Sequence, residues 1–334
     1  MAAPRIGAVQ ARWGHLNADT NLLTRAQAMS IDMHFVVEQP TRDRAGLLLN
    51  FSGSAGVWRR ACIEDAGGWR DVTLTEDLDL SYRAQLRGWR FAVLPGVEVP
   101  AELPPQVAAY KRQQARWAKG GTQCLRLHGP SILRAEMGRF KKVMALIHLG
   151  QRLSHPLLLV MMILTVPLML DGMLEHLTLG VLGLLGFAPI IAFAISQCAL
   201  YPRWPLHLLI LPVLTVLGAG VTVNNTIAII SALRGRPNVF ERTPKFGAAQ
   251  WQESRYALLA DKTVIGELAL SLYAGLGVAL AITHNKPATL PLFVTYALSC
   301  GGMALLTLLE SRRVVRAPRH KQERSRQSDS SQMV

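Results

Sequence analysis

The chain has 334 residues, 36 Lys and Arg against 22 Asp and Glu, a formal net charge of +14 and a mean hydropathy of +0.22. That length accommodates a water-facing domain followed by a membrane part, and the basic excess points to nucleic acid or to a membrane surface. The four cysteines, Cys62, Cys124, Cys198 and Cys300, are scattered without C-x-x-C spacing, which excludes a disulfide scaffold and a thiolate metal or redox centre.

No apolar core follows Met1, so the start of the chain is not read as a secretory signal. Residues 6–10 predict a short strand. Leu22, Leu23, Ala26, Met29, Met33 and Val37 recur at helical spacing and predict a helix over residues 21–39, closed by Pro40. Residues 47–51 predict a buried strand leading into the turn Ser52-Gly53-Ser54. Residues 91–94 predict another strand, ended by Pro95-Gly96. Between them, Gly67-Gly68 precedes Thr75-Glu76-Asp77, and Leu78, Tyr82, Leu86 and Trp89 then follow a helical period. Two adjacent acids at a loop-to-helix junction suit a site that is exposed yet rigidly held. The structural alternative is a capping box made by Thr73 and Glu76. Alternating strands and helices argue for a layered α/β fold over residues 1–130. His15, His34, His128, His148 and His155 form no sequence cluster and read as packing or surface histidines. Gln10 and Arg12-Trp13 read as structural.

Beyond about residue 140 long apolar runs dominate. Residues 134–148, with Lys141 and Lys142, predict an interfacial amphipathic helix, set within a segment spanning 131–150. Apolar runs at 155–170, 177–200, 264–283 and 290–309 approach the length that crosses a bilayer. A further run at 206–233 is broken by Pro212, Gly218, Gly220, Asn224 and Asn225. If it does not cross, the basic loop 234–262 and the basic tail 311–334 both lie on the cytosolic side with the α/β part, as the positive-inside tendency requires. Four crossings within 151–310 and a non-crossing element at 206–233 are therefore expected. Many basic residues flank apolar runs, which favours a lipid bilayer over nucleic acid as partner. The tail 311–334 reads as disordered and held near anionic lipid.

Two further motifs accompany Thr75-Glu76-Asp77. Gln113-Gln114-Ala115-Arg116-Trp117 reads as Q-x-x-R-W just before the apolar half, and Phe240-Glu241-Arg242-Thr243-Pro244-Lys245 reads as F-x-x-T-x-K in the basic loop. Their order, T-E-D, Q-x-x-R-W, apolar helices, F-x-x-T-x-K, resembles that of the family 2 glycosyltransferases of the processive, cellulose synthase-like group. Phe51-Ser52-Gly53-Ser54 resembles the family's acceptor-side segment.

The resemblance implies a partial GT-A (Rossmann-like) α/β domain followed by an α-helical transmembrane domain, in a membrane of the bacterial inner (plasma) type. It implies transfer of a hexose from a nucleotide sugar, UDP-glucose or GDP-mannose, to a growing β-linked glycan acceptor with inversion. Asp77 would be the general base, positioned by Glu76 and Thr75. Gln113, Arg116 and Trp117, with Ser52, Gly53 and Ser54, would meet the acceptor and the pyrophosphate. Phe240, Thr243 and Lys245 would lie in a gating loop over the nucleotide. The structural alternatives are a basic face with Trp117 as a membrane anchor, a positive-inside loop and a plain tight turn. Mg or Mn is expected for the full-length enzyme. Asp77-Leu78-Asp79 does not match the family's D-x-D metal motif, so the nucleotide-binding half and its metal ligands are expected to lie outside this chain. A transferase that glycosylates a lipid once, and a non-catalytic membrane scaffold, are the competing readings.

Overall fold

The computed structural model describes residues 5–176, 186–237, 243–244, 246 and 257–316. The α/β part holds a three-stranded sheet of order β2-β1-β3. Strand β1 (Ile6–His15) is followed by α1 (Leu22–Met33), α2 (Gln39–Arg44), β2 (Gly56–Trp58), α3 (Arg60–Asp65), α4 (Glu76–Leu86) and β3 (Arg90–Ala101). β1 pairs antiparallel with β2, placing Gln10 opposite Gly56, and parallel with β3 along its whole length.

Three local expectations are corrected. The helix does not stop at Pro40, because a π turn over His34–Glu38 intervenes and α2 continues to Arg44. Gln39 N–H donates to the His34 carbonyl in the wide i+5 pattern, so Pro40 enters where the regular ladder is already broken. Residues 47–51 are not a strand. Their backbone groups are met by side chains instead: Gln85 bonds both the N–H and the carbonyl of Leu49, Ser81 Oγ accepts from Phe51 N–H at 2.8 Å, and Arg42 donates to the Leu48 carbonyl. Finally, β3 runs through Pro95-Gly96. The register slips between Ala11↔Leu94 and Arg12↔Glu98, and this bulge lets the proline, which has no N–H, stand outside the ladder.

One core joins the sheet to α3 and α4 through Ala8, Phe51, Cys62, Leu80, Trp89 and Phe91. The long helix α5 (Val107–Arg134) crosses the expected boundary at residue 130 without a break. The expected interfacial helix is α6 (Arg139–Gly150), which starts later than residue 134 and exposes Phe140, Val143 and Ile147. A single helical turn then joins it to α7 (Ser154–Leu170). After these come α8 (Ala188–Leu200), α9 (Trp204–His207), α10 (Leu211–Gly220), α11 (Thr222–Leu233), α12 (Thr263–Thr283) and α13 (Leu290–Arg316).

Among the described residues three helical stretches are long and apolar enough to cross a membrane: Arg139–Leu170, Thr263–Thr283 and Pro287–Arg316. The broken run forms two helical stretches, Trp204–Gly220 (α9 to α10) and Thr222–Leu233 (α11), bent by 41°, and makes a fourth stretch of that kind if taken as one span. The described helix within the expected crossing at 177–200 covers only Ala188–Leu200. The calls on residues 177–185, on Phe240 and Lys245 and on the tail from 317 lie outside the described residues.

Candidate active site

Thr75-Glu76-Asp77 forms the start of α4. Thr75 occupies the N-cap without a side-chain cap bond, so the Thr73–Glu76 capping box is not made. The segment is gripped by α5 instead. Gly120 of α5 lies so close that a Cβ there would meet Thr75 Cγ2 and Oγ1 at 2.5 Å. Gln123 Oε1 accepts from Leu74 N–H at 3.0 Å, and Thr75 Oγ1 lies 3.6 Å from Cys124 Sγ. His128 Nε2 lies 2.8 Å from Asp79 Oδ1, while Arg83 binds the other oxygen of Asp79 at 2.7 Å and donates to the carbonyls of Ala66 and Gly68. Burial opposes the charge of Asp79, but His128 and Arg83 outweigh it and hold the carboxyl below its ordinary range. Asp79 is thus a buried tie between α4, α5 and the Gly67-Gly68 turn.

Asp77 behaves differently. Its Oδ1 accepts from Leu78 N–H at 2.8 Å, and its backbone carbonyl accepts from the Ser81 hydroxyl at 2.6 Å. Burial pushes its carboxyl up to about 6, against the Leu78 N–H and the charge of Arg116, with Glu76 adding to the rise. Gly53 closes over it in the left-handed region, φ +68, where an added Cβ would sit 3.1 Å from Asp77 Oδ2. The Gly53 turn is held by Gln10, whose amide oxygen accepts from Ser52 N–H and whose amide nitrogen donates to the carbonyls of Ser54 and Ala55. The structural reading of Gln10 is therefore borne out.

Asp77, Thr75, Ser52 and Trp117 line one cavity of about 290 Å³. It brings together the T-E-D segment, the Ser52 turn and the tryptophan of Q-x-x-R-W. Gln113 and Arg116 are half-buried on α5 and do not line it, although the charge of Arg116 acts on Asp77. Glu76, Gly53 and Ser54 are also outside the lining. Thr243 is half-buried, and three residues on, Phe246 N–H donates to Glu102 Oε1 at 2.6 Å, just ahead of α5.

The cavity also contains residues the sequence did not single out as a group: Trp13, His34, Glu38, Asn50, His148 and Arg152. His34 Nδ1 lies 2.8 Å from Glu38 Oε2, and His148 Nδ1 lies 2.7 Å from Tyr82 Oη. The Arg152 guanidinium stands 5.8 Å from the Trp117 ring centroid and donates to Gln114 Oε1 at 2.8 Å. The bond goes to Gln114 rather than to the motif's Gln113. The i, i+4 spacing of His34 and Glu38 was the available signal, but only the fold brings His148 and Asn50 to them.

Residues 1–219 match the family described as glycosyl transferase family group 2. The chain belongs to that family. It is 45% identical over 148 residues to glucomannan 4-beta-mannosyltransferase 2 of Arabidopsis thaliana, covering 44% of this chain and 28% of that protein. It is 46% identical over 136 residues to probable glucomannan 4-beta-mannosyltransferase 7 of Oryza sativa subsp. japonica, covering 41% and 23%. The match thus spans about a quarter of the length of these relatives. They bear out the cellulose synthase-like resemblance, and the small mixed sheet followed by apolar helices bears out the fold class.

As a family 2 site, the arrangement offers a half-buried carboxylate, raised by burial to about 6, at the edge of an aromatic-walled cavity. That is the condition for a general base. The family generally uses a divalent metal, but Asp77 and Asp79 do not fit one. Asp79 has both carboxylate oxygens taken by His128 and Arg83. Among the described residues no group of three or more His, Cys, Asp or Glu is placed to hold a metal ion.

Proposed function

We propose that the chain forms the acceptor-side and membrane part of an inverting glycosyltransferase that extends a β-linked glycan, with Asp77 as its general base. The acceptor hydroxyl attacks the anomeric carbon of the nucleotide sugar. A new C–O bond forms there, the bond to the diphosphate oxygen breaks, and Asp77 takes the hydroxyl proton. The nucleoside diphosphate departs with the bonding pair. The observation that carries this reading is the placement of Asp77: a carboxylate titrating at about 6, on the same cavity as Trp117 and Ser52. A base must be deprotonated to act yet keep affinity for a proton, and such a pKa meets both needs at neutral pH.

Thr75 and Glu76 fix the entry of α4. Arg116 and Gln113 would face the departing pyrophosphate, Ser52, Gly53, Ser54 and Trp117 the acceptor, and Phe240, Thr243 and Lys245 the nucleotide. The names of the relatives favour a mannosyl donor such as GDP-mannose over UDP-glucose. The apolar helices would sit in an inner (plasma) type membrane with the α/β part, the loop 234–262 and the tail on the cytosolic side.

The test is sugar transfer in membranes carrying this chain together with the nucleotide-binding half expected to lie outside it, with radiolabelled GDP-mannose and UDP-glucose supplied in parallel. Transfer is expected with one donor, and Asp77→Asn is expected to abolish it. Transfer by Asp77→Asn at the wild-type rate removes the base assignment. Topology is checked by single cysteines in 236–262. An impermeant thiol reagent added to intact cells should not reach them, and labelling from outside refutes the orientation.

A further inference from the structure

Two carboxylates line the cavity, and their surroundings divide their roles. Burial raises the Asp77 carboxyl to about 6. Glu38 stands on the π turn His34–Glu38, which brings His34, Phe35 and Glu38 to the same cavity. Such turns are uncommon and concentrate at functional sites. Burial opposes the charge of Glu38, but His34, His148 and Arg42 outweigh it and bring its pKa down to about 2. A permanently charged carboxylate is a poor proton acceptor in catalysis and a good fixed acceptor of hydrogen bonds.

The groups around it are rigidly held. Gln39 Nε2 donates to Asn50 Oδ1 at 3.0 Å and to the Asn50 carbonyl at 2.8 Å, and lies 3.2 Å from His34 Nε2. His148 Nε2 lies 3.2 Å from Asn50 Oδ1. Trp13 Nε1 is buried with no hydrogen-bond partner among the described residues, so it has a proton to give. The Trp13 ring lies 5.7 Å from Phe35, centroid to centroid. A fixed anion, a free indole N–H and apolar ring faces together suit a neutral ligand with many hydroxyls and a flat apolar side. A phosphate would be repelled by Glu38. The lining also includes Gln151 and Arg152, at the turn from which α7 continues into the apolar half.

We propose that Glu38, His34, Asn50 and Trp13 form a subsite for the terminal sugar of a β-linked glycan acceptor, in which Glu38 accepts hydrogen bonds from the sugar's hydroxyls. This rests on the reading of the cavity as a glycosyl-transfer site and assigns residues that its motifs do not include. Glu38 is a binding residue here, separate from the base.

The experiment is calorimetric titration of the purified full chain with β-1,4-linked mannotetraose and, separately, cellotetraose. Hydrogen bonds to a charged group support a loss of about ten- to a hundredfold in affinity for Glu38→Gln. Wild-type affinity in a folded Glu38→Gln protein overturns the subsite, as does the lack of saturable binding of either sugar by the wild type. Should Glu38→Gln fail to fold, Trp13→Phe decides by the same criterion, since it keeps the ring and removes only the N–H. An Asp77→Asn protein that still transfers sugar refutes the base and leaves this subsite standing.

Discussion

Replacing Asp77 with Asn should remove transfer and stabilise the protein, and the pH dependence of the second effect is the sharper test. The Asp77 carboxyl rises from its ordinary value of 3.8 to about 6 on folding. The folded state therefore holds this proton more tightly than the unfolded chain. The contribution of the group to stability is fully present below pH 3.8 and is lost as pH rises through 6. At about 1.36 kcal/mol per tenfold change in proton affinity, the rise corresponds to roughly 3 kcal/mol. Contact of the carboxylate with the cavity trims that to about 1–3 kcal/mol, because the charged form keeps some solvation. Asparagine carries no charge to bury, so the variant should melt a few degrees above the wild type at pH 8. The gap should close as pH falls toward 4. Wild-type transfer should rise with pH through about 6, and the variant should show none at any pH. A melting difference independent of pH would refute the burial argument, and wild-type transfer in the variant would refute the role.

The contact between α5 and the T-E-D segment gives a second expectation. Gly120→Val drives a side chain into Thr75 and should cost about 1–3 kcal/mol. It should also lower transfer by about a hundredfold through displacement of Asp77. A variant with unchanged melting and transfer would show that the close approach is not needed. Asp79→Asn leaves Arg83 without its buried anion and should destabilise by about 3–5 kcal/mol, read as a large drop in melting temperature. A small drop would mean that Asp79 is not the tie between α4, α5 and the glycine turn.

What was legible in the sequence was local. Helical spacing from Leu78 to Leu86 located α4, and the motifs identified the family, because the helix and each single motif are carried by side chains close together in the chain. The errors came where distant residues decided the backbone. Residues 47–51 have a strand's apolar run, but Gln85, Ser81 and Arg42 take their hydrogen bonds, and Gln85 and Ser81 are far away in the sequence. Pro95-Gly96 looks like a stop signal until β1 supplies a partner that tolerates a bulge. The cavity's second half was missed for the same reason. His34 and His148 are far apart in the chain, and only the docking of α6 beneath α4 brings His148 to Tyr82 and Asn50.

Helix α5 explains why a site in the α/β part should depend on the apolar part at all. On one side its residues 120, 123, 124 and 128 fix Thr75, Leu74 and Asp79. On the other, Lys111 Nζ lies 2.6 Å from Glu267 of α12, both fully buried, and Asn224 of α11 donates to the Lys111 carbonyl at 2.9 Å. Lys119 and Arg126 donate to the carbonyls of Pro237 and Ala232, at the end of α11. A buried ion pair adds little net stability, because desolvation offsets much of its attraction. Its value here is registry: a slip of α5 by one residue would strand both charges. The nine helical steps from Lys111 to Gly120 span about 13 Å of rigid helix. The contacts with α11 and α12 thus set the height at which Gly120 meets Thr75, and with it the position of the Asp77 carboxylate over the cavity.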